Sequence, residues 1–159
     1  MTVPHNRQDI SQVAADRPSV ESILGRISRA IALISLGFDR WDDAHARGPG
    51  LYFVIESTSV AAFTEPMGLN RWPVEDCESV FGPTDVLLQT ARRVAASSDG
   101  AVVIHDDGTF EEQMVRVTQL ATTDGDHEKS LPFADWMGAR HMSALETSTR
   151  PEVGATITL

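Results

Sequence analysis

Two short apolar runs constrain the fold of this chain more than any other feature. Residues 51–56 (LYFVIE) are too continuously apolar for a strand with one solvent-facing side, so they predict a strand at the centre of a sheet. Residues 101–104 (AVVI) form a second β-branched run, and Asp99-Gly100 directly before it is a typical turn pair. We therefore expect Asp99 at the mouth of a buried strand, where a sheet can present its carboxylate to a ligand.

Two amphipathic helices are predicted to cover this sheet. The first begins after Ser19, a favourable N-cap, and ends at Gly37. Thr84 is expected to cap the second helix, which leads the chain directly to Asp99. Apolar residues recur at steps of three and four along each, at Val20, Ile23, Leu24, Ile27, Ile31 and Ile34, and at Val86, Leu87, Ala91, Val94 and Ala95.

The other segments predict further strands and loops. We expect a short strand at 60–63, a loop at 66–73, a hairpin of 101–105 with 109–117, a helix from about Arg140 to Ser148 and a last strand at 154–159. In the loop at 66–73, Trp72 either frames a pocket or seals the loop onto the core. Trp136 is expected in the core, and His105 is expected on an edge strand.

This order of elements predicts an α/β fold. We expect a mixed, partly antiparallel central sheet covered by helices, in a single domain of residues 18–159 that follows a flexible tail of residues 1–17.

Composition narrows the function classes. The chain has 23 acidic and 13 basic residues, a formal net charge of −10, and Lys129 is its only lysine. Phosphate backbones need a basic surface, so nucleic-acid binding is not expected. The acidic, lysine-poor balance fits a protein adapted to high salt, or a genome with biased composition. Cys77 is the only cysteine, and no apolar stretch is long enough to cross a membrane, so we expect a cytoplasmic protein.

Histidines and acidic loops give little support for a protein-held metal centre. Residues 124–128 (DGDHE) include residue types that bind metals. However, Lys129 occupies the position at which an EF-hand loop has glycine, so we expect a solvated loop. A zinc hydrolase is also disfavoured, because no two of the candidate ligands have the i, i+4 spacing of helix-borne ligands; these are His45, His105, His127 and His141.

Residues 138–144 (GARHMSA) combine several groups that bind anions. A helix that begins near Arg140 would direct free backbone N–H groups and a positive dipole at a bound anion, and the Arg140 guanidinium could add a bidentate contact. The segment therefore predicts a phosphate site.

Residues 99–101 (DGA) before a β-branched strand and residues 138–141 (GARH) at a predicted helix start together resemble the diadenylate cyclase family. That family shares its domain with the N-terminal part of the DNA-integrity scanning protein. Its motifs are Asp-Gly-Ala and then Gly-Thr-Arg-His-Arg followed by Thr, Ser or Ala. The resemblance covers about residues 51–159, and the composition makes the chain most similar to archaeal members.

The resemblance implies that two ATP molecules are condensed into cyclic di-AMP with release of two pyrophosphates, with Mg²⁺ or Mn²⁺ as cofactor. Each protomer would hold one ATP, and two protomers would meet face to face in a homo-oligomer. Asp99 would be the catalytic residue that holds the metal. The implied nucleotide-binding residues are Gly100, Ala101, Gly138, Arg140, His141 and Ser143.

The chain departs from the family pattern at two places. Met142 stands where the family has its second Arg, which removes one cation from the phosphate contacts. The chain ends at Leu159, before the acidic Ser-Glu-Glu-like segment of the family, so we expect a fragment or a short paralogue. A catalytically inactive paralogue that binds ATP or cyclic di-AMP as a sensor is the alternative. An unrelated α/β domain is a third, in which Asp99 caps a turn and Arg140 makes a surface ion pair.

Overall fold

The computed structural model describes residues 17–119 and 131–159. In chain order these form helix α1 (Val20–Gly37), strand β1 (Tyr52–Glu56), a 3₁₀ turn (Ala61–Phe63), β2 (Thr64–Arg71), α2 (Thr84–Ser97), β3 (Val102–Ile104), β4 (Gln113–Val117), α3 (Ala139–Thr147) and β5 (Val153–Thr158). Residues 1–16 of the expected tail at 1–17 and the acidic loop at residues 124–128 lie outside the described residues.

Strand β1 is central, as its apolar sequence predicts. It pairs in parallel with β3, with Val54 opposite Val103, and antiparallel with β5, with Val54 opposite Thr156. Strands β2 and β4 form a separate antiparallel pair, joined to the first sheet by a bridge between Ala101 and Val115. The prediction of a mixed, partly antiparallel α/β fold is confirmed, although the strands form two sheets instead of one.

Both faces of β1 are buried because successive side chains point to opposite sides of a strand. Phe53 and Ile55 pack with α1 and α2 in a core cluster that also contains Val102 and Ile104. Tyr52 and Val54 face a second cluster, with Phe63, Ala101, Val103, Val115 and Ala144. The sheet therefore has α1 and α2 on one side, and α3 with the β2–β4 pair on the other.

The helix predictions are largely confirmed. Ser19 is the N-cap of α1, and its hydroxyl accepts a hydrogen bond from the Ser22 N–H at 3.1 Å. The prediction that Thr84 caps α2 is wrong, because Pro83 occupies the N-cap position and Thr84 is the first helical residue. The Thr84 hydroxyl instead accepts a hydrogen bond from Arg26 at 3.2 Å. None of the described helices has the length and hydropathy needed to span a bilayer.

Two predictions between β1 and α2 are wrong. The expected strand at 60–63 is a 3₁₀ turn, and the expected loop at 66–73 is mostly strand β2. Strand β2 is largely exposed and contains Pro66 and Gly68, so it lacks the apolar alternation of a half-buried strand. Its pairing with β4 is interrupted between Pro66 and Arg71, and Gly68 adopts a φ of 55° there.

The predicted hairpin of residues 101–105 with 109–117 is confirmed in part, because its turn and antiparallel bridges between its arms are present. The His105 N–H donates to the Thr109 carbonyl at 2.9 Å, and Gly108 has a φ of 86°. Two antiparallel bridges, Ile104–Phe110 and Ala101–Val115, join the arms, whereas the continuous pairing of β3 is with β1 and that of β4 is with β2. His105 follows β3 instead of lying on an edge strand.

The two tryptophan predictions have opposite outcomes. Trp72 is fully buried, stacks on Phe110 with ring centroids 4.2 Å apart, and donates its indole N–H to the Cys77 carbonyl at 2.8 Å. It therefore seals its segment onto the core. Trp136 is 70% exposed, so the prediction of a core position is wrong. Its ring packs edge-on against His141, 5.2 Å between centroids, and not against the sheet.

Candidate functional site

Asp99 lies in the short connection between α2 and β3, at the mouth of a buried strand as predicted. The next residue, Gly100, has a φ of 102°, and an added Cβ would lie 3.0 Å from the Val115 carbonyl oxygen. Ala101 is buried and exchanges two backbone hydrogen bonds with Val115, at 2.7 and 2.9 Å. The glycine therefore permits a tight turn against β4, and the Asp99 side chain remains 57% exposed.

Helix α3 brings the second motif to the same place. Gly138 is its N-cap in extended conformation, and Arg140 lies in the first turn. An Arg140 guanidinium nitrogen is 4.0 Å from the Asp99 carboxylate, although the two residues are far apart in sequence. The structure thus brings together the acidic and the basic residue that the motifs single out.

Gly50 makes room for the Arg140 side chain. A Cβ added at Gly50 would lie 2.0 Å from the Arg140 Nη1 atom. The same guanidinium donates a hydrogen bond to the Leu159 carbonyl at 3.5 Å. Arg140 is thereby held across the start of β1, which fixes the direction from which it approaches Asp99.

Asp99 has a second cationic neighbour in Arg47. The Arg47 guanidinium donates a hydrogen bond to Asp99 Oδ1 at 3.1 Å, the same oxygen that faces Arg140. Both ends of the Arg47–Asp99 pair are largely exposed, so solvent screens the attraction between them. Asp99 is therefore accessible but partly neutralised.

Two adjoining cavities lie beside Arg140, and Asp99 lines neither of them. The smaller cavity, about 280 Å³, is lined by Tyr52, Met67, Gly100, Ala101, Val115, Arg116, Val117, Ala139, Arg140 and Ser143. The larger cavity, about 790 Å³, is lined by Glu65, Arg116, Val117, Thr118, Gln119, Phe133, Ala139, Met142, Ser143, Glu146 and Thr147. They share Arg116, Val117, Ala139 and Ser143. Their sizes are those of small-molecule sites, which typically run from about 300 to 1,000 Å³.

The hydroxyl of Tyr52 is a buried polar group at the floor of the smaller cavity. Burial raises the pKa of Tyr52, and the neighbouring Thr147 and Ser143 side chains partly offset this effect. The hydroxyl has no hydrogen-bond partner of good geometry among the described residues. The oxygen has almost no accessible surface, so it lies beneath the cavity lining beside Ser143 and Thr147 and is not exposed to a ligand in the cavity.

The remaining predicted site residues are divided between these cavities and the surface. Gly100, Ala101, Arg140 and Ser143 line the smaller cavity. Gly138 is exposed at the helix start, and His141 is half-buried against Trp136, so neither contributes to the lining of the two cavities.

The site has too few protein ligands to bind a metal ion by itself. It suits a cation that is already bound to the phosphates of a nucleotide. In residues 17–119 and 131–159, no three His, Cys, Asp or Glu side chains converge on a metal-sized site. Asp99 offers a single accessible carboxylate. Mg²⁺ bound to phosphates usually takes one or two carboxylates and completes its shell with phosphate oxygens and water, so Asp99 fits that role.

Several residues at the site carry no recognisable motif. Tyr52 is hidden in an apolar run, Gly50 and Arg47 belong to a segment that reads as a connector, and Arg116 lies in a strand of ordinary composition. The sequence Gly48-Pro49-Gly50 predicts only a connecting loop, and the close approach of Arg140 to Gly50 is visible only in the structure.

The sequence matches no protein-family model, and no curated protein sequence is significantly similar to it. Function is therefore inferred from the two motifs and from the geometry around them.

Proposed function

We propose that this protein is a diadenylate cyclase, which condenses two ATP molecules into cyclic di-AMP and two pyrophosphates. The observation that carries the proposal is the 4.0 Å approach of Arg140, which lines the smaller of two joined cavities, to the Asp99 carboxylate. A carboxylate and a guanidinium separated by this distance can contact the metal-bearing and the anionic parts of one nucleotide.

The residues of this chain would bind and orient the nucleotide. Arg140 and the free backbone N–H groups at the start of α3 would hold phosphate oxygens, with Ser143 beside them and His141 as a further candidate. Gly138 has no side chain, so it would leave the backbone N–H groups at the start of α3 accessible to the phosphates. Gly100 and Ala101 would allow the nucleotide to approach the backbone.

Asp99 would hold Mg²⁺ or Mn²⁺, which when bound neutralises phosphate charge and acidifies a coordinated hydroxyl. Each 3′-hydroxyl would lose its proton to solvent and form a bond to the α-phosphorus of the other ATP, while the bond to pyrophosphate breaks. Both transfers require two protomers face to face, each with one ATP, so the proposal includes a homo-oligomer. It also includes a cytoplasmic location, where ATP is available and Cys77 stays reduced.

Incubation of the purified protein with ATP and Mn²⁺, followed by chromatography and mass spectrometry, tests this proposal. We expect cyclic di-AMP, and we expect Asp99→Asn to abolish it. Asp106→Asn is a matched control, because Asp106 is also an exposed carboxylate paired with an arginine, Arg17, but is not the carboxylate that lies beside Arg140. Equal product from wild type and Asp99→Asn would remove Asp99 from the mechanism.

A non-catalytic sensor of ATP or cyclic di-AMP is the second candidate, favoured by Met142. The Met142 side chain presents a thioether to the larger cavity where the family motif has a guanidinium. Calorimetry that finds tight nucleotide binding without turnover would favour the sensor over the cyclase.

A further inference from the structure

Arg116 connects the two cavities of the candidate site. It lies in β4 opposite Glu65 in β2, and its guanidinium forms an ion pair with Glu65. The same residue lines the smaller cavity with Arg140 and the larger cavity with Met142. A ligand that extends from one cavity into the other would therefore meet Arg116.

The charge balance of the larger cavity depends on this residue. The described lining contains two carboxylates, those of Glu65 and Glu146, and Arg116 is its one cation. A polyphosphate carries several negative charges, so a lining with these carboxylates and no guanidinium would repel it. Among the described residues that line this cavity, Arg116 is thus the one whose charge favours an anion.

The first turn of α3 does not supply a cation to the larger cavity. Met142 contributes an uncharged side chain there. Arg140 is directed elsewhere, over Gly50 and toward Asp99. A second cation for a bound polyphosphate has to come from another element, and β4 provides it.

We propose that Arg116 is a second phosphate-binding residue of this site and that Glu65 competes with the bound nucleotide for its guanidinium. The inference rests on the proposed function, because the ligand it assigns to Arg116 is the polyphosphate of ATP. The Arg116–Glu65 pair is largely exposed, so the two side chains can separate at little cost. Phosphate oxygens then accept the guanidinium hydrogen bonds, which match them in bidentate geometry.

Binding of 3′-deoxy-ATP with Mg²⁺, measured by calorimetry, tests this inference without turnover, because this nucleotide lacks the attacking hydroxyl. Arg116→Gln should weaken binding about tenfold, since a charged phosphate contact is lost. The same variant should bind 3′-deoxyadenosine, which has no phosphate, as wild type does. Glu65→Gln should tighten binding of 3′-deoxy-ATP about twofold to fivefold, because it removes the competing carboxylate.

Arg93 and Asp76 provide matched controls, since they form a similarly exposed ion pair and line neither cavity. Arg93→Gln and Asp76→Asn should leave the affinity for 3′-deoxy-ATP unchanged. Met142→Arg, combined with Arg116→Gln, should restore binding, because the helix then supplies the missing cation to the same cavity.

The outcomes separate the two proposals. If wild type and Arg116→Gln bind 3′-deoxy-ATP equally, the role of Arg116 is refuted and the proposed function stands. If Arg116→Gln weakens binding of 3′-deoxyadenosine as much as that of 3′-deoxy-ATP, the role of Arg116 is also refuted, because the variant has then altered the cavity shape. If wild type binds no 3′-deoxy-ATP, both proposals fail.

Discussion

The guanidinium of Arg47 donates a hydrogen bond to Asp99 Oδ1 at 3.1 Å, across the connection that precedes β1. This oxygen belongs to the carboxylate that we propose as the metal ligand. A cation that approaches Asp99 therefore meets a side chain already paired with a positive charge.

Arg47→Gln should free Asp99 and strengthen the binding of Mn²⁺ in the presence of 3′-deoxy-ATP. The gain should be about twofold to fivefold, the range expected for an exposed ion pair. Titration of the electron paramagnetic resonance signal of free Mn²⁺ measures it. Arg40→Gln is the control, because Arg40 pairs with Asp43 and not with Asp99; an equal gain in that variant would point to a general charge effect.

Gly50→Ala should disturb the site while leaving the fold intact. The added methyl would occupy the position of the Arg140 guanidinium, a flexible group that can move aside at little cost in folding free energy. We expect the affinity for 3′-deoxy-ATP to fall about fivefold, because the phosphate contact of Arg140 is displaced. Calorimetry measures the affinity, and urea unfolding should give a free energy close to that of wild type.

Gly25→Ala is the matched control for that substitution. Gly25 lies inside α1 with open space around its Cα, so alanine should stabilise the protein by about 0.5–1 kcal/mol and leave nucleotide affinity unchanged. A Gly50→Ala variant that binds 3′-deoxy-ATP like wild type would show that Arg140 does not contact the ligand from its present position.

Gly100→Ala should destabilise the fold itself. Gly100 has a φ of 102°, and its new Cβ would lie 3.0 Å from the Val115 carbonyl, a backbone atom that cannot move aside easily. We expect a loss of about 1–3 kcal/mol in the free energy of unfolding, measured in urea. A loss no larger than that of a typical surface substitution would mean that the turn can adopt another conformation.

His105 should make the stability of the protein depend on pH. Burial lowers the pKa of His105, but the hydrogen bond and charge of Glu56 and the charges of Glu111 and Asp107 raise it, and the net shift is upward. The His105 Nδ1 atom lies 2.5 Å from Glu56 Oε1, and Nε2 lies 3.4 Å from Glu111 Oε2. The protonated imidazole thus connects the end of β3 to the end of β1.

A histidine whose pKa is raised in the folded state stabilises the fold fully below its unfolded pKa of about 6.5, and this contribution is lost as the pH rises through the folded pKa. The free energy of unfolding, measured in urea from about pH 6 to pH 9, should therefore decrease more in wild type than in His105→Gln. His45→Gln alters an exposed histidine and should retain the wild-type pH dependence. Parallel curves for wild type and His105→Gln would contradict the linkage.

The sequence by itself determined the central position of β1 and the limits of α1. Both are local signals: an uninterrupted apolar run needs two covered faces, and the Ser19 cap and Gly37 mark the helix ends. The sequence also placed Asp99 at a strand mouth, because an Asp-Gly pair favours a turn and the β-branched residues after it favour a strand.

Only the tertiary structure decided which of these residues meet. Strand β2 was not predictable, because an exposed edge strand owes its conformation to pairing with β4 and not to its own apolar pattern. The placement of Arg47, Gly50 and Arg116 around the motifs also depends on contacts between distant segments. Such contacts form because the sheet buries both faces of β1 and thereby draws α3 and β4 onto the same side.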